Sequence, residues 1–414
     1  MKLKKITALL LALLLVFALA ACETKPDTSQ DSHLDWVYIP SSSNNGAVTK
    51  DGCYYIYMGL LSYTDFATKK SAVLCAKPGC PHKADDEENP CDADMPFKGD
   101  QMFFENDTLY YLGDENVLCS RDATGGSLKE WGMLGKKFVE EGKVVFAFPL
   151  ALCNGYLYYQ ADLVDKEDIE DVISSADAKT TCIVRYNIAK QKDEIIVLLE
   201  DKGYYENIKP YAARENGVIY LYSEGLGSEQ DWEQVDAKKR SEARKKMPVH
   251  IKHLNLATGE TTTILTATYG DVSAIANVED GKLYYKKSLN DGNFTVDVHS
   301  YDLVTGKDTV VFTEVNPSSL GKGYWRCHKY LDITDSNSAQ VYIYDANTGK
   351  TLPFELSGHF GTRNQSAHGM IMYYHKDQST YDGNYYISYD SLADGLQEED
   401  LLFLHLASWN TSEQ

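Results

Sequence analysis

After its first eighteen residues the chain has no apolar run approaching the roughly 20 residues that a bilayer-spanning helix needs. It lacks a cationic excess: 40 Lys and Arg stand against 61 Asp and Glu, a net charge of -21. That balance excludes nucleic acid as a partner, since nucleic-acid binding needs a basic face. It also argues against adsorption to anionic lipid or wall polymer, except through local patches. There is no Gly-x-Ser-x-Gly, His-Glu-x-x-His or P-loop pattern, and no Asp-x-Asp-x-Asp-Gly calcium loop. Carboxylates are so abundant that pairing any two as a glycosidase dyad would be arbitrary. No catalytic residue can therefore be named. Phenylalanine is scarce beside tyrosine, 13 against 30. Tyrosine suits strands, where the ring packs and the hydroxyl can stay wet. With 43% hydrophobic residues to build a core, the composition predicts an ordered all-β protein.

The N-terminus has three parts. Lys2, Lys4 and Lys5 are followed by the apolar run 6–18 and then by Leu19-Ala20-Ala21-Cys22. The run is short and ends in small residues, the pattern of a signal peptide, here residues 1–21. Leu-Ala-Ala-Cys resembles the bacterial lipobox, in which the thiol of the first mature residue accepts the diacylglyceryl group. Cleavage would remove three lysines and no acid, making the balance still more negative. Residues 23–33 are rich in Thr, Ser and Asp and contain no large apolar side chain, so 22–33 reads as a lipidated cysteine with a solvated tether. Two acyl chains hold firmly where one binds reversibly. The expectation is a protein fixed to the cell membrane through Cys22 and facing outside the cytoplasm.

The remainder, 34–414, repeats. A turn leads into an aromatic strand at Asp51-Gly52-Cys53-Tyr54-Tyr55, Asn106-Asp107-Thr108-Leu109-Tyr110-Tyr111 and Asn154-Gly155-Tyr156-Leu157-Tyr158-Tyr159. It recurs at Asn216-Gly217-Val218-Ile219-Tyr220, Asp280-Gly281-Lys282-Leu283-Tyr284-Tyr285 and His368-Gly369-Met370-Ile371. A degenerate seventh copy begins at Tyr324-Trp325-Arg326-Cys327. Asn/Asp-Gly pairs favour tight hairpins. A second turn follows in each unit, as in Asn255-Leu256-Ala257-Thr258-Gly259 and Asp302-Leu303-Val304-Thr305-Gly306. Four strands per unit of roughly 40–60 residues is the signature of a propeller blade. Seven four-stranded blades are predicted, with six or eight as alternative counts. Residues 34–39 read as one more strand that would join the first or last blade and close the ring.

The lipobox, the Gly-x-Leu-Tyr-Tyr strands and the Asp-x-x-Thr-Gly-Lys turns together resemble exported Firmicutes lipoproteins that carry a low-density-lipoprotein-receptor-like β-propeller of unknown function. The resemblance covers roughly residues 34 to 406 and implies a fold rather than an activity. The receptor propellers' Tyr-Trp-Thr-Asp signature is absent, so no ligand carries over.

Insertions near 162–179 and 224–247, with smaller excursions at 59–69 and 376–384, should decorate one face of the propeller. Residues 230–240 have a helical pattern ending in basic residues, which suits the helix dipole. Trp232 in that insertion reads either as a ligand anchor or as a pin holding the segment to the body. Cys75, Cys80, His82 and Cys91 offer three sulfurs and an imidazole within 17 residues, a closed Cys3His set suited to structural zinc. Four residues separate the first two cysteines instead of the usual two. A disulfide in this loop and free thiols are the rival readings. Cys53, Cys119, Cys153, Cys182 and Cys327 lie in apolar strand contexts and read as buried small hydrophobes. The function expected is a binding or interaction module for a peptide, glycan or protein ligand of the cell surface or envelope. The alternative is a surface glycan hydrolase or lyase with its site at the channel mouth, an idea resting on fold analogy.

Overall fold

The computed structural model describes residues 36–38, 46–57, 59–84, 88, 90–95, 102–126, 128–167, 180–200, 203–227, 232–288, 296–330, 339–353, 356, 359–366, 368–375 and 383–405. The chain forms a seven-bladed β-propeller of four-stranded antiparallel blades. The blades span 46–73, 102–133, 143–199, 204–268, 272–315, 316–352 and 359–405.

Each aromatic burst is the second strand of its blade. That strand lies between neighbours within its sheet and between blades on either side, so both faces are covered. The strand Tyr156–Asp165 is buried along nearly its whole length, whereas the outermost strand of the same blade, Lys192–Leu199, alternates exposed and half-buried positions. Four of the hairpins entering these strands have two successive positive φ angles, among them Asn154 and Gly155 at 49° and 76° and Asp280 and Gly281 at 48° and 69°. The second turn is held by its Asn or Asp. The Asn255 side chain accepts the Ala257 and Thr258 amides, and Asp302 accepts those of Val304 and Thr305.

The tyrosine excess has a structural cause at the seams. Tyr54 donates its hydroxyl to Ala123 O of the next blade, Tyr158 to Arg214 O, Tyr186 to Trp131 O and Tyr389 to Leu320 O, at 2.7–3.1 Å. Phenylalanine could fill the same space but could not satisfy those buried carbonyls. Acidic residues ending the inner strands add a second cross-blade bond. Glu105 accepts the Gly155 amide at 3.0 Å, and Glu279 accepts that of Gly323 at 2.8 Å.

Two seams are unusual. One 14-residue strand, Asp308–Gly321, ends the fifth blade and begins the sixth, so those blades share a continuous backbone. Among the described residues, the ring closes between the first and seventh blades without any exchange of strands. Phe66 stacks on Tyr386 at 3.8 Å, Tyr55 donates to Leu404 O at 3.1 Å, and Cys53 and Ile371 are buried between them.

The N-terminal strand corrects one expectation. Val37–Tyr38 joins neither end blade; it pairs antiparallel with Ala213 and Ala212 on the innermost strand of the fourth blade, Tyr204–Arg214. It also touches the inner strands of the third and fifth blades, so it lies in the central channel. An innermost strand has an unpaired edge facing that channel, and the two alanines let a second backbone approach. Trp36 is fixed there by the Arg214 guanidinium 4.7 Å from its ring and by an edge contact with His253 at 5.4 Å. Because the partner strand runs toward its hairpin, the antiparallel N-terminal strand enters from the hairpin face. Inter-blade connections and loops between second and third strands lie on the other face, here called the loop face.

The excursion expected at 59–69 is a regular strand, Leu60–Asp65, followed by a tight turn. Of the other insertions, 168–179 and 376–382 lie outside the described residues, as does the signal-peptide and tether region 1–35 with Cys22.

Candidate metal centre and loop face

The cysteine segment connects the first and second blades. It folds back onto the strand Leu60–Asp65: Leu61 N donates to Ala93 O, Met95 N to Gly59 O and Leu74 N to Leu61 O. Lys77, Pro78 and Gly79 form the turn between the first two cysteines, closed by Cys80 N to Lys77 O at 3.3 Å, with Gly79 at φ 70°. The ligand atoms of Cys75, Cys80, His82 and Cys91 all lie within 4.8 Å of one another. Cys91 Sγ is 3.7 Å from His82 Nδ1. The edge of a zinc tetrahedron with sulfur ligands is about 3.8 Å. The four side chains therefore converge as a metal would require, and no disulfide joins the three thiols.

Their electrostatics suit a cation. Burial pushes the Cys91 thiol up to about 12, with the neighbouring Cys80 and Cys75 sulfurs adding to the rise. Cys75 is also raised by burial, but amides of Lys77 and Asp92 and the other two thiols hydrogen-bond its sulfur and bring it below the ordinary value. Amide donors aimed at a sulfur stabilise thiolate, as expected around a metal-bound cysteine.

Arg121, from the third strand of the second blade, is buried beneath this loop. Its guanidinium donates to Asp92 O, to Asp94 O at 3.2 Å and to the Tyr111 hydroxyl at 3.2 Å. Cys91, Ala93 and Met95 pack with Leu109 and Tyr111 of the same blade. The loop thus ties two blades together through backbone, apolar and charged contacts. The sequence carried no signal for Arg121, because its partners are backbone carbonyls far along the chain.

Trp232 opens a short turn, Trp232–Gln234, and donates Nε1 to Gly227 O at 2.8 Å while half-buried. That bond closes the base of the insertion. The helix begins later than the pattern at 230–240 suggested, at Ala237–Lys246, because the Asp236 side chain caps the Lys238 and Lys239 amides. Met247, just beyond it, is buried in the core. Tyr269 N bonds Met247 O and Gly270 N bonds Lys245 O, both at 2.8 Å.

A cation–aromatic cluster assembles under this helix. Arg244 lies 4.6 Å from the Tyr205 ring and 4.5 Å from that of Tyr269, whose hydroxyl it also meets at 2.8 Å. Arg240 donates to the Tyr204 hydroxyl at 3.0 Å. Only the run of basic residues hinted at this in the sequence; the tyrosines arrive from two other connections. Cys53, Cys119, Cys153, Cys182 and Cys327 are buried, as their contexts indicated.

No protein-family model and no curated protein matches this chain. Solved structures do resemble it. An oligogalacturonate lyase from Vibrio parahaemolyticus matches with a TM-score of 0.48 and 13% identity over 77% of this chain and 78% of that one. A puromycin-hydrolyzing peptidase of Mycobacterium tuberculosis matches with 0.48 and 9% identity over 91% of this chain and 57% of that one. A Pyrococcus horikoshii acylaminoacyl peptidase matches with 0.45 and 10% identity over 84% and 50%. At such identities the likeness concerns the propeller fold alone.

Proposed function

We propose that this chain is a lipid-anchored, extracytoplasmic binding module that presents the loop face of its propeller to an envelope or extracellular ligand. The observation that carries this reading is the path of the N-terminal strand. It enters the channel at the hairpin face and lies along the fourth blade's inner edge, where a propeller enzyme would need open space. A strand that enters from the hairpin face leaves the loop face to meet partners.

The loop that joins the first two blades is stapled by structural zinc held by Cys75, Cys80, His82 and Cys91. Three thiolates around Zn2+ leave one net negative charge, and the Arg121 guanidinium beneath the loop offsets it. A closed ligand set leaves no position for substrate, so the metal's role is to fix a seam.

Native mass spectrometry of the full chain, expressed in a bacterium and extracted in detergent without chelator, tests both parts. The expected protein begins at a diacylated Cys22 and carries one zinc. An unmodified N-terminus would refute the anchor. A mass lower by two protons with no metal would mean a disulfide and refute the zinc.

A further inference from the structure

The helix Ala237–Lys246 breaks the charge pattern of the molecule. Lys238, Lys239, Arg240, Arg244, Lys245 and Lys246 set six cations against the single acid Glu242, on a chain with a net charge of -21. Among the described residues none of the six is paired with a carboxylate. Like charges on one short helix repel, a cost eased at its C-terminal end where Arg244, Lys245 and Lys246 meet the negative pole of the dipole, and the helix has no apolar face to compensate: none of its ten residues is buried. Its place is secured by the Asp236 cap, by buried Met247 and by the backbone bonds at Tyr269 and Gly270.

Beneath it, the Arg244 guanidinium is held between the partly exposed rings of Tyr205 and Tyr269, and its Nε is enclosed with no acceptor. Tyr205 itself sits at φ 63°, a left-handed conformation that a bulky residue adopts at a cost. A strained, partly exposed aromatic, the Arg244 guanidinium and a row of exposed lysines with no carboxylate partner among the described residues form one surface on the loop face.

We infer that this surface binds a carboxylated polysaccharide, a uronate-containing glycan chain, laid along the helix. Guanidinium forks match carboxylates in a bidentate manner. The partly exposed rings of Tyr205 and Tyr269 offer apolar surface on which sugar rings can pack. The helix is about 15 Å long, a span for several charged sugar units. An acidic peptide carries the same charge but no sugar rings to pack on Tyr205 and Tyr269. A phospholipid surface presents phosphates and no sugar rings for Tyr205 and Tyr269 to meet. The inference rests on the binding-module reading and names its ligand.

The test measures binding of alginate oligomers by the full chain in detergent, beside neutral glucan oligomers, polyphosphate and phosphatidylglycerol vesicles. Alginate should bind, weaken as salt is raised, and exceed the other three. The quadruple variant K238E/K239E/K245E/K246E alters only exposed side chains. It should lose at least ~10-fold in affinity with an unchanged melting temperature. Tyr205→Ala, checked the same way, should weaken alginate more than polyphosphate. No alginate binding, or equal binding by the quadruple variant, overturns the inference. So does stronger binding of polyphosphate or vesicles, which would assign the patch to phosphate polymers or lipid. A lipidated protein that co-purifies with another ligand yet ignores alginate overturns this ligand class alone. One that binds alginate but lacks lipid keeps the patch and loses the anchor.

Discussion

Among the described residues the first and seventh blades share no strand, so the seam between them depends on side chains, and Tyr386 is one of those buried in it. Its ring is buried and stacks on Phe66 at 3.8 Å with an interplanar angle of 12°, and its hydroxyl donates to His368 O at 3.2 Å. Tyr386→Phe keeps the stack and loses one hydrogen bond, a cost of about 1 kcal/mol. Tyr386→Ala opens a cavity at the seam and should cost about 3–5 kcal/mol. Phe66 is only half-buried, so Phe66→Ala should cost less. The double variant should be less destabilised than the sum of the two, with a coupling of about 0.5–1.5 kcal/mol from the lost stack. Val304→Ala, in an exposed turn of the fifth blade, is the control and should stay within about 0.5 kcal/mol of the parent. Urea unfolding followed by tryptophan fluorescence reads all five variants. If Tyr386→Ala costs no more than Val304→Ala, or if the Phe66 and Tyr386 effects simply add, the seam is held by something else and the reasoning fails.

Arg121→Met removes the donors to Asp92 O and Asp94 O while keeping most of the packing. Zinc affinity, measured by competition with a chromogenic chelator, should fall about 10–100-fold, and unchanged affinity would show the loop to be positioned without it. Glu279, enclosed beside the Gly323 turn, has its pKa raised by burial, partly offset by the Gly323 and Lys322 amides. The native state therefore holds this proton more tightly than the unfolded chain. Its contribution is full below the ordinary glutamate value of 4.5 and is lost as pH rises through the higher native value. Glu279→Gln should flatten that part of the pH–stability profile and leave the protein as stable or slightly more stable at neutral pH; a steeper profile in denaturant titrations across pH would refute this.

The blades were legible in the sequence because the same turn chemistry recurs. Asn154-Gly155 and Asp280-Gly281 announce positive φ at fixed offsets, and even the degenerate copy at Tyr324 falls on a second strand. The cysteine cluster was legible because its ligands lie close together along the chain. What stayed hidden depends on distant partners. Val37–Tyr38 has an ordinary strand pattern, and nothing in six residues says which of seven inner edges will accept it. Arg121 reads as a turn-flanking residue until the carbonyls of Asp92 and Asp94 arrive above it. Tyr205, Tyr269 and Arg244 come from three connections that only the blade geometry brings together.

The N-terminal strand also orders events in time. Residues 37 and 38 are among the first of the domain to leave the ribosome, yet their partners Ala212 and Ala213 belong to the fourth blade. Three blades must be synthesised before the edge that receives this strand exists, and the fifth, whose inner strand it also touches, later still. Such a long-range pairing forms late, since the loop must close before any contact compensates for it. The strand's backbone groups have no sheet partner until then. Its docking is thus a late step of assembly, after which the first-made strand of the domain lies against the inner strands of the third, fourth and fifth blades.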